Sequence, residues 1–341
     1  MKKDILVGAI RWDAVDSTTF FGSCALERLL PDEFKERLPF YTKKDNNGNP
    51  YFDYTEETFD KEMEYAIDAG LDYFAYCYYS RYDEAAAEFL DYDPARKKIA
   101  PYIHGLTIAR QMHKKSKYKN NVKFCYIMCA FPLTQRDIDE LAGDMASDYY
   151  VKIGERPLLY IFQSQNLVNI ENMRKLLITL KEKNIRRPFI VPVGVRSEYS
   201  IISADASGGY SIDTRETTSF RKLCDDAIEY AQSRADARDV VIPLMSLGWD
   251  PRPRIVNNNL WCCYADVDYP GRPNMEDTIY QAQGIKKVME SVPESFVGHV
   301  LVSAWNEFEE GSYACPTIDN HGNIDDSYLK MLKEMIKIIK E

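Results

Sequence analysis

Near its C-terminus the chain reads Trp305-Asn306-Glu307-Phe308-Glu309-Glu310-Gly311, and this segment holds the residues best suited to chemistry. Glu307 closes the apolar run Val300-Leu301-Val302-Ser303-Ala304, and Glu310 follows three residues later with Gly311 behind it. A charged side chain at the end of an apolar strand cannot settle among buried neighbours, so it must face an open mouth or a partner. Gly311 gives the backbone freedom to turn. Two carboxyl groups delivered by one strand end can converge on a single bond. Glycosidic cleavage needs that arrangement, one group protonating the leaving oxygen while another serves the opposite side. A bare Glu-x-x-Glu is equally an exposed acidic loop, and which acid sits drier, so keeping its proton longer, is open at this level. Asn306 and Glu309 are placed to share the hydrogen bonding that sets the two acids apart.

The elements that must position this segment recur along the 341 residues. Eight short β-branched and aromatic runs alternate with helical patterns: 5–12, 73–80, 123–130, 157–162, 188–195, 209–214, 240–249 and 299–307. Such alternation is the mark of βα units around a parallel sheet. Between them, 56–69, 170–183, 219–234 and 275–291 carry apolar residues at helical spacing, with Thr134 and Asp137 as a helix start and Gly70 as a helix stop. The last stretch, 326–340, presents Leu329, Leu332, Met335, Ile336 and Ile339 as a helix packed on the outside. An open doubly wound sheet would carry a Gly-rich phosphate turn after the first strand, where Arg11-Trp12-Asp13-Ala14 stands instead. The reading is a single α/β domain over 1–341, a (β/α)8 TIM barrel.

Barrel chemistry sits at the C-terminal strand ends. Those ends read Arg11, Trp12 and Asp13; Tyr78, Tyr79 and Arg81; Phe131, Gln163 and Arg196; Asp213 and Arg215; Trp249, Asp250 and Arg252; then Trp305, Asn306, Glu307 and Glu310. Flat aromatics suit the C–H face of a sugar ring, and carboxylates and arginines suit its hydroxyls, so the expected partner is a carbohydrate. Asp250 and Arg254 are candidates for hydroxyl contacts, or equally a structural pair holding their loop. Tyr78 and Phe131 alone read more simply as caps on the barrel core.

Composition narrows the field further. The net charge is −10 with acids scattered along the chain, which speaks against nucleic acid or an anionic membrane as partner. No apolar run approaches membrane-spanning length, and the start lacks a signal-peptide pattern, so a cytoplasmic location is expected. Of eight cysteines, Cys77, Cys125 and Cys129 lie in apolar runs, Cys262 and Cys263 are adjacent, and no Cys-x-x-Cys occurs. With four histidines, no metal site and no cofactor is expected.

Ser303-Ala304-Trp305-Asn306-Glu307-Phe308-Glu309-Glu310-Gly311 resembles the Trp/Phe-Asn-Glu-Trp-x-Glu-Gly signature of glycoside hydrolase family 99, which the WbsX-type family of surface-polysaccharide glycosyltransferases shares. Gly154-Glu155-Arg156-Pro157-Leu158-Leu159-Tyr160 is similar to that group's fourth strand, and Gly248-Trp249-Asp250 with Pro253-Arg254 to the turn after its seventh. The resemblance implies retaining, metal-independent, endo-α-mannosidase-like chemistry through a 1,2-anhydro sugar. It gives Glu307 the role of base on the substrate's 2-hydroxyl and Glu310 that of general acid and base. The chain departs from the pattern at Phe308, at Glu309, where family 99 has His, and in the first strand, which reads Gly8-Ala9-Ile10-Arg11-Trp12. Trp12, Tyr78, Trp249, Asp250, Arg254, Trp305 and Asn306 are the expected substrate-binding residues. A polysaccharide-assembly transferase and a barrel that binds sugar without turning it over are the other readings. Asp266-Val267-Asp268 matches a nucleotide-sugar tripeptide but reads as loop.

Overall fold

The computed structural model describes residues 4–82, 100–194, 203–211, 219–257, 269–319 and 321–341. Its centre is a ring of parallel strands: the first at Leu6–Arg11, second Tyr73–Tyr78, third Lys123–Met128, fourth Arg156–Phe162, fifth Phe189–Val193, seventh Leu244–Ser246 and eighth His299–Ser303. Each pairs in parallel with its neighbour from first to fifth, and the eighth joins the first to the seventh, with Val7 opposite Val300 and Val302 opposite Met245. The sixth position differs from the expected run at 209–214, of which 212–214 lie outside the described residues. Here a short extended segment closes the ring. Asp205 N donates to Ile190 O at 2.8 Å, Ser207 N to Val240 O at 2.7 Å, and Ile242 N to Ser207 O at 2.9 Å. The architecture is a (β/α)8 barrel.

Strand alternation sorts the side chains of the second strand. Tyr73 points inward, where its hydroxyl meets that of Tyr160 at 3.1 Å. Gly8 makes room for this ring, since a Cβ there would lie 2.1 Å from Cε2 of Tyr73. Tyr76 and Tyr78 point outward to the helices. The Tyr76 hydroxyl bonds His113 Nδ1 at 2.9 Å on the helix Ile108–Lys115, and Tyr78 donates to the Asp137 carbonyl at 3.1 Å on the helix Gln135–Ala146.

The helices form where the caps place them. Thr55 accepts from Thr58 N to start Glu56–Ala69, and Gly70 ends it in the left-handed conformation at φ 80°. Thr134 and Asp137 make a full capping box. The terminal helix Ser327–Lys340 buries Leu329, Leu332, Met335, Ile336 and Ile339 against helices Glu56–Ala69 and Met275–Ser291, so it packs on the outside. Among the described residues no helix is long and apolar enough to cross a membrane.

A buried polar knot lies between the first strand and the helix Glu56–Ala69. Arg11 Nε reaches Asp13 Oδ1 at 2.8 Å and Arg11 Nη2 reaches Glu62 Oε2 at 2.8 Å, with the Tyr54 hydroxyl accepting from Arg11 and donating to Glu62. Glu62 Oε1 accepts from Trp305 Nε1 at 3.2 Å and from Cys315 Sγ at 3.3 Å. Burial pushes the Asp13 carboxyl up to about 6 against the pull of Arg11. Arg11, Asp13 and Trp305 therefore tie strand to helix rather than face the mouth.

Candidate active site

The eighth strand ends at Ser303, and the chain then crosses to its neighbours. Trp305 N donates to Ile10 O at 2.7 Å. Asn306–Glu307 pairs antiparallel with Ser312–Tyr313 across the tight turn Phe308–Glu310, which Gly311 completes at φ 64°. The turn abuts the loop after the seventh strand. Asp250 N donates to Glu310 O at 2.6 Å, and a Cβ on Gly311 would lie 3.0 Å from Asp250 N. One turn thus delivers Glu307, Glu309 and Glu310, all buried, to one place.

Arg254, on the short helix Arg252–Val256, meets all three. Its Nη1 donates to Glu310 Oε1, its Nη2 reaches Glu309 Oε2 at 3.3 Å, and the same nitrogen lies 3.6 Å from Glu307 Oε2. Glu309 is gripped from behind by Arg28 Nη1 at 2.7 Å, from the helix Phe20–Leu29. The Arg254 guanidinium also lies 5.1 Å from the centre of the Trp12 ring. A planar fork can serve several carboxylates at once, which an ammonium group cannot do with the same geometry.

Glu307 is 5% exposed. Burial first, then the charge of Glu310, pushes its carboxyl up to about 8, against the opposing pull of Arg254. Its Oε1 accepts from the Tyr210 hydroxyl at 3.1 Å, while its buried Oε2 has no hydrogen-bond partner among the described residues. The Tyr210 hydroxyl also contacts Cys77 Sγ at 3.4 Å. A buried carboxyl oxygen without a partner is costly in a folded protein and is found where a ligand supplies the missing bond.

The remaining expected residues divide. Trp12 lies beside the carboxylates, under Arg254. Asp250 is bound by Arg37 and by Arg252, whose Nε and Nη2 each donate at 2.7 Å. Although burial opposes it, those partners hold the Asp250 carboxyl below the usual range. Its carboxylate is therefore occupied in bracing the seventh-strand turn. Asn306 spends its amide on Trp12, donating to its carbonyl at 2.6 Å and accepting from its N–H at 2.9 Å, so it orients the site instead of lining it. Trp249 is half-buried against Phe220, Leu223 and Cys224. Tyr78 and Trp305 are placed outside the barrel interior, as described above. Arg196, Asp213, Arg215 and Asp266–Asp268 lie outside the described residues. Sequence reasoning missed Arg28, Arg37 and Tyr210. Tyr210 is the one with a signal, standing near the start of the sixth run. Among the described residues no group of three or more His, Cys, Asp or Glu is arranged to hold a metal ion.

No family model matches the chain, and no curated protein matches it. Solved structures do. A family 99 endo-α-mannosidase from Bacteroides thetaiotaomicron superposes with a TM-score of 0.60 at 12% identity, covering 98% of each chain. A second structure of that organism's family 99 endo-α-mannosidase gives 0.53 at 13% identity, over 83% of this chain and 79% of the other. The exo-β-1,4-mannosidase Op5Man5 from Opitutaceae bacterium strain TAV5 gives 0.50 at 8% identity, over 98% of this chain and 60% of its own. What is shared at these identities is the fold. That fold is a (β/α)8 barrel.

Proposed function

We propose that the protein is a glycoside hydrolase that cleaves an α-linked, mannose-containing oligo- or polysaccharide with retention. Glu307 acts as base on the substrate's 2-hydroxyl, and Glu310 as general acid and then base. The observation that carries this reading is the buried pair itself. Glu307 and Glu310 leave the same turn at the eighth strand's end, share Arg254, and present one carboxyl oxygen, Glu307 Oε2, that no described residue hydrogen-bonds. A substrate hydroxyl fits that vacancy as donor. In the proposed step the 2-hydroxyl oxygen attacks the anomeric carbon as Glu307 takes its proton, and the leaving oxygen departs with the proton of Glu310. Water then attacks the anomeric carbon of the 1,2-anhydro sugar with Glu310 taking its proton, while the bond from that carbon to the 2-oxygen breaks and Glu307 returns its proton to the 2-oxygen. Arg254 and the face of Trp12 provide the charged and flat contacts a sugar ring needs. The barrel shared with a family 99 endo-α-mannosidase supports the choice of linkage class.

The test is reducing-end release from a panel of α-linked oligosaccharides. Wild type is compared with Glu307→Gln and Glu310→Gln, each expected to lose about 10²–10⁴-fold. Equal cutting by both variants and the wild type would overturn the assignment. Turnover that appears only with a nucleotide-sugar donor would make the protein a transferase.

A further inference from the structure

Two guanidinium groups, Arg28 and Arg254, face three carboxyl groups, Glu307, Glu309 and Glu310, in one buried cluster. Among the described residues that cluster is charge-balanced when one carboxyl carries a proton. Geometry selects which one. Glu310 is ion-paired with Arg254 Nη1, and Glu309 is held between Arg28 at 2.7 Å and Arg254 at 3.3 Å. Among the described residues Glu307 has only the neutral Tyr210 hydroxyl at bonding distance, with the Arg254 nitrogen 3.6 Å away. The proton belongs on Glu307. The proposed hydrolysis uses the other arrangement, with Glu310 protonated and Glu307 charged. The two arrangements hold the same number of protons, so exchange between them needs no proton from solvent and leaves the cluster's charge unchanged.

We propose that Arg254, anchored from behind by Glu309 and Arg28, is the positioning residue that stores the pair's single proton on Glu307 in the sugar-free protein and hands it to Glu310 when a substrate hydroxyl bonds Glu307. A hydroxyl donating to Glu307 Oε2 stabilises that group as a carboxylate, which drives the transfer. The anchor matters because an unrestrained arginine could settle between Glu307 and Glu310 and leave neither protonated. Glu309 prevents this by holding Nη2 to one side, and Arg28 fixes Glu309 in place. The other groups facing the cluster are the Cys24 thiol beside Arg28 and Glu309, Cys77 beside Tyr210, and the Arg37–Asp250–Arg252 group against the turn at Gly311.

This inference rests on the reading of Glu307 and Glu310 as a working pair, and its test does not need turnover. Carboxyl groups of glutamate-labelled, sugar-free protein are titrated by carbon NMR in the wild type, Glu307→Gln, Glu309→Gln, Arg254→Gln and Arg254→Lys. One alkaline-titrating carboxyl is expected in the wild type and is absent in Glu307→Gln. Its midpoint moves up by about 1–3 pH units in Arg254→Gln, where the cation is lost, and down in Glu309→Gln, where an anion is lost. Arg254→Lys keeps the charge without the fork, so its midpoint stays within a few tenths while kcat falls and KM changes little. If Arg254→Gln does not fold, Glu309→Gln decides. A midpoint unmoved in folded Glu309→Gln, or an alkaline-titrating carboxyl that survives in Glu307→Gln, overturns the proposal. Failure to cleave any glycoside would instead sink the hydrolase reading and leave this titration standing.

Discussion

Asn306 holds Trp12 by both polar groups of its backbone, Nδ2 to the carbonyl at 2.6 Å and Oδ1 to the N–H at 2.9 Å. All these groups are buried, so truncation strands two backbone groups at about 1–3 kcal/mol each. Asn306→Ala should lower the urea midpoint accordingly and release Trp12 from beneath Arg254. Asn306→Asp keeps the acceptor and turns the donor into a second acceptor against the carbonyl, so it should be no better than Ala. A variant as stable as wild type would show that the clasp contributes nothing.

The pH dependence of kcat/KM follows from the pair. Catalysis needs one proton on Glu307 and Glu310 together, wherever it rests. With the Glu307 carboxyl pushed up to about 8, the rate should fall on the alkaline side with a midpoint near that value. A profile flat through pH 9.5 would contradict it.

Stability carries the same signature with its own sign. The folded-state carboxyl of Glu307 lies above its ordinary value of 4.5, so its stabilising contribution is full below about 4.5. It is lost as pH rises through about 8, by about 1.4 kcal/mol for each pH unit between. Glu307→Gln removes that dependence. Its melting temperature should match wild type near pH 5 and exceed it increasingly toward pH 9.

The knot at the first strand holds its cation between two carboxyl groups. Arg11 is fully buried with Asp13 and Glu62 as its ionic partners. Glu62→Gln should cost about 3–5 kcal/mol, as expected for a buried ion left without its counter-charge. Chemical denaturation at fixed pH measures this; a loss under 1 kcal/mol would mean that Asp13 alone suffices.

Leu332 sits fully buried on the terminal helix, against the helices beside it. Leu332→Ala should cost about 2–5 kcal/mol. Steady-state turnover of the fraction that remains folded should be unchanged, because the helix lies outside the barrel. Altered kcat in fully folded protein would link that helix to the site.

Much of this was legible from residue type and period. The helices at 56–69 and 275–291, the Thr134 cap and the Gly70 stop follow local rules that tertiary context does not override. Seven strands stand within a few residues of their sequence positions. The sixth does not, because a segment bridging two neighbours by a few backbone bonds needs no β-branched run. That Glu307 and Glu310 meet in one buried place was legible because a charge ending an apolar strand has few places to go. Tyr78 and Trp305 were misplaced for a different reason. Both look like rim aromatics by position, yet alternation turns Tyr78 toward a helix, and Trp305 leaves the strand to meet Glu62. Arg28 and Arg37 had no signal at all. Each lies over 200 residues from its partner, and nothing local distinguishes it from a surface arginine.

The eighth strand lies beside the first, so the working turn draws on opposite ends of the chain. Arg28 and Glu309, like Trp12 and Asn306, are separated by more than 280 residues. Contacts of such separation form late in folding, after local helices and hairpins have already collapsed. Recovery of catalytic competence during refolding would therefore time the closing of the ring, lagging behind the return of helical signal.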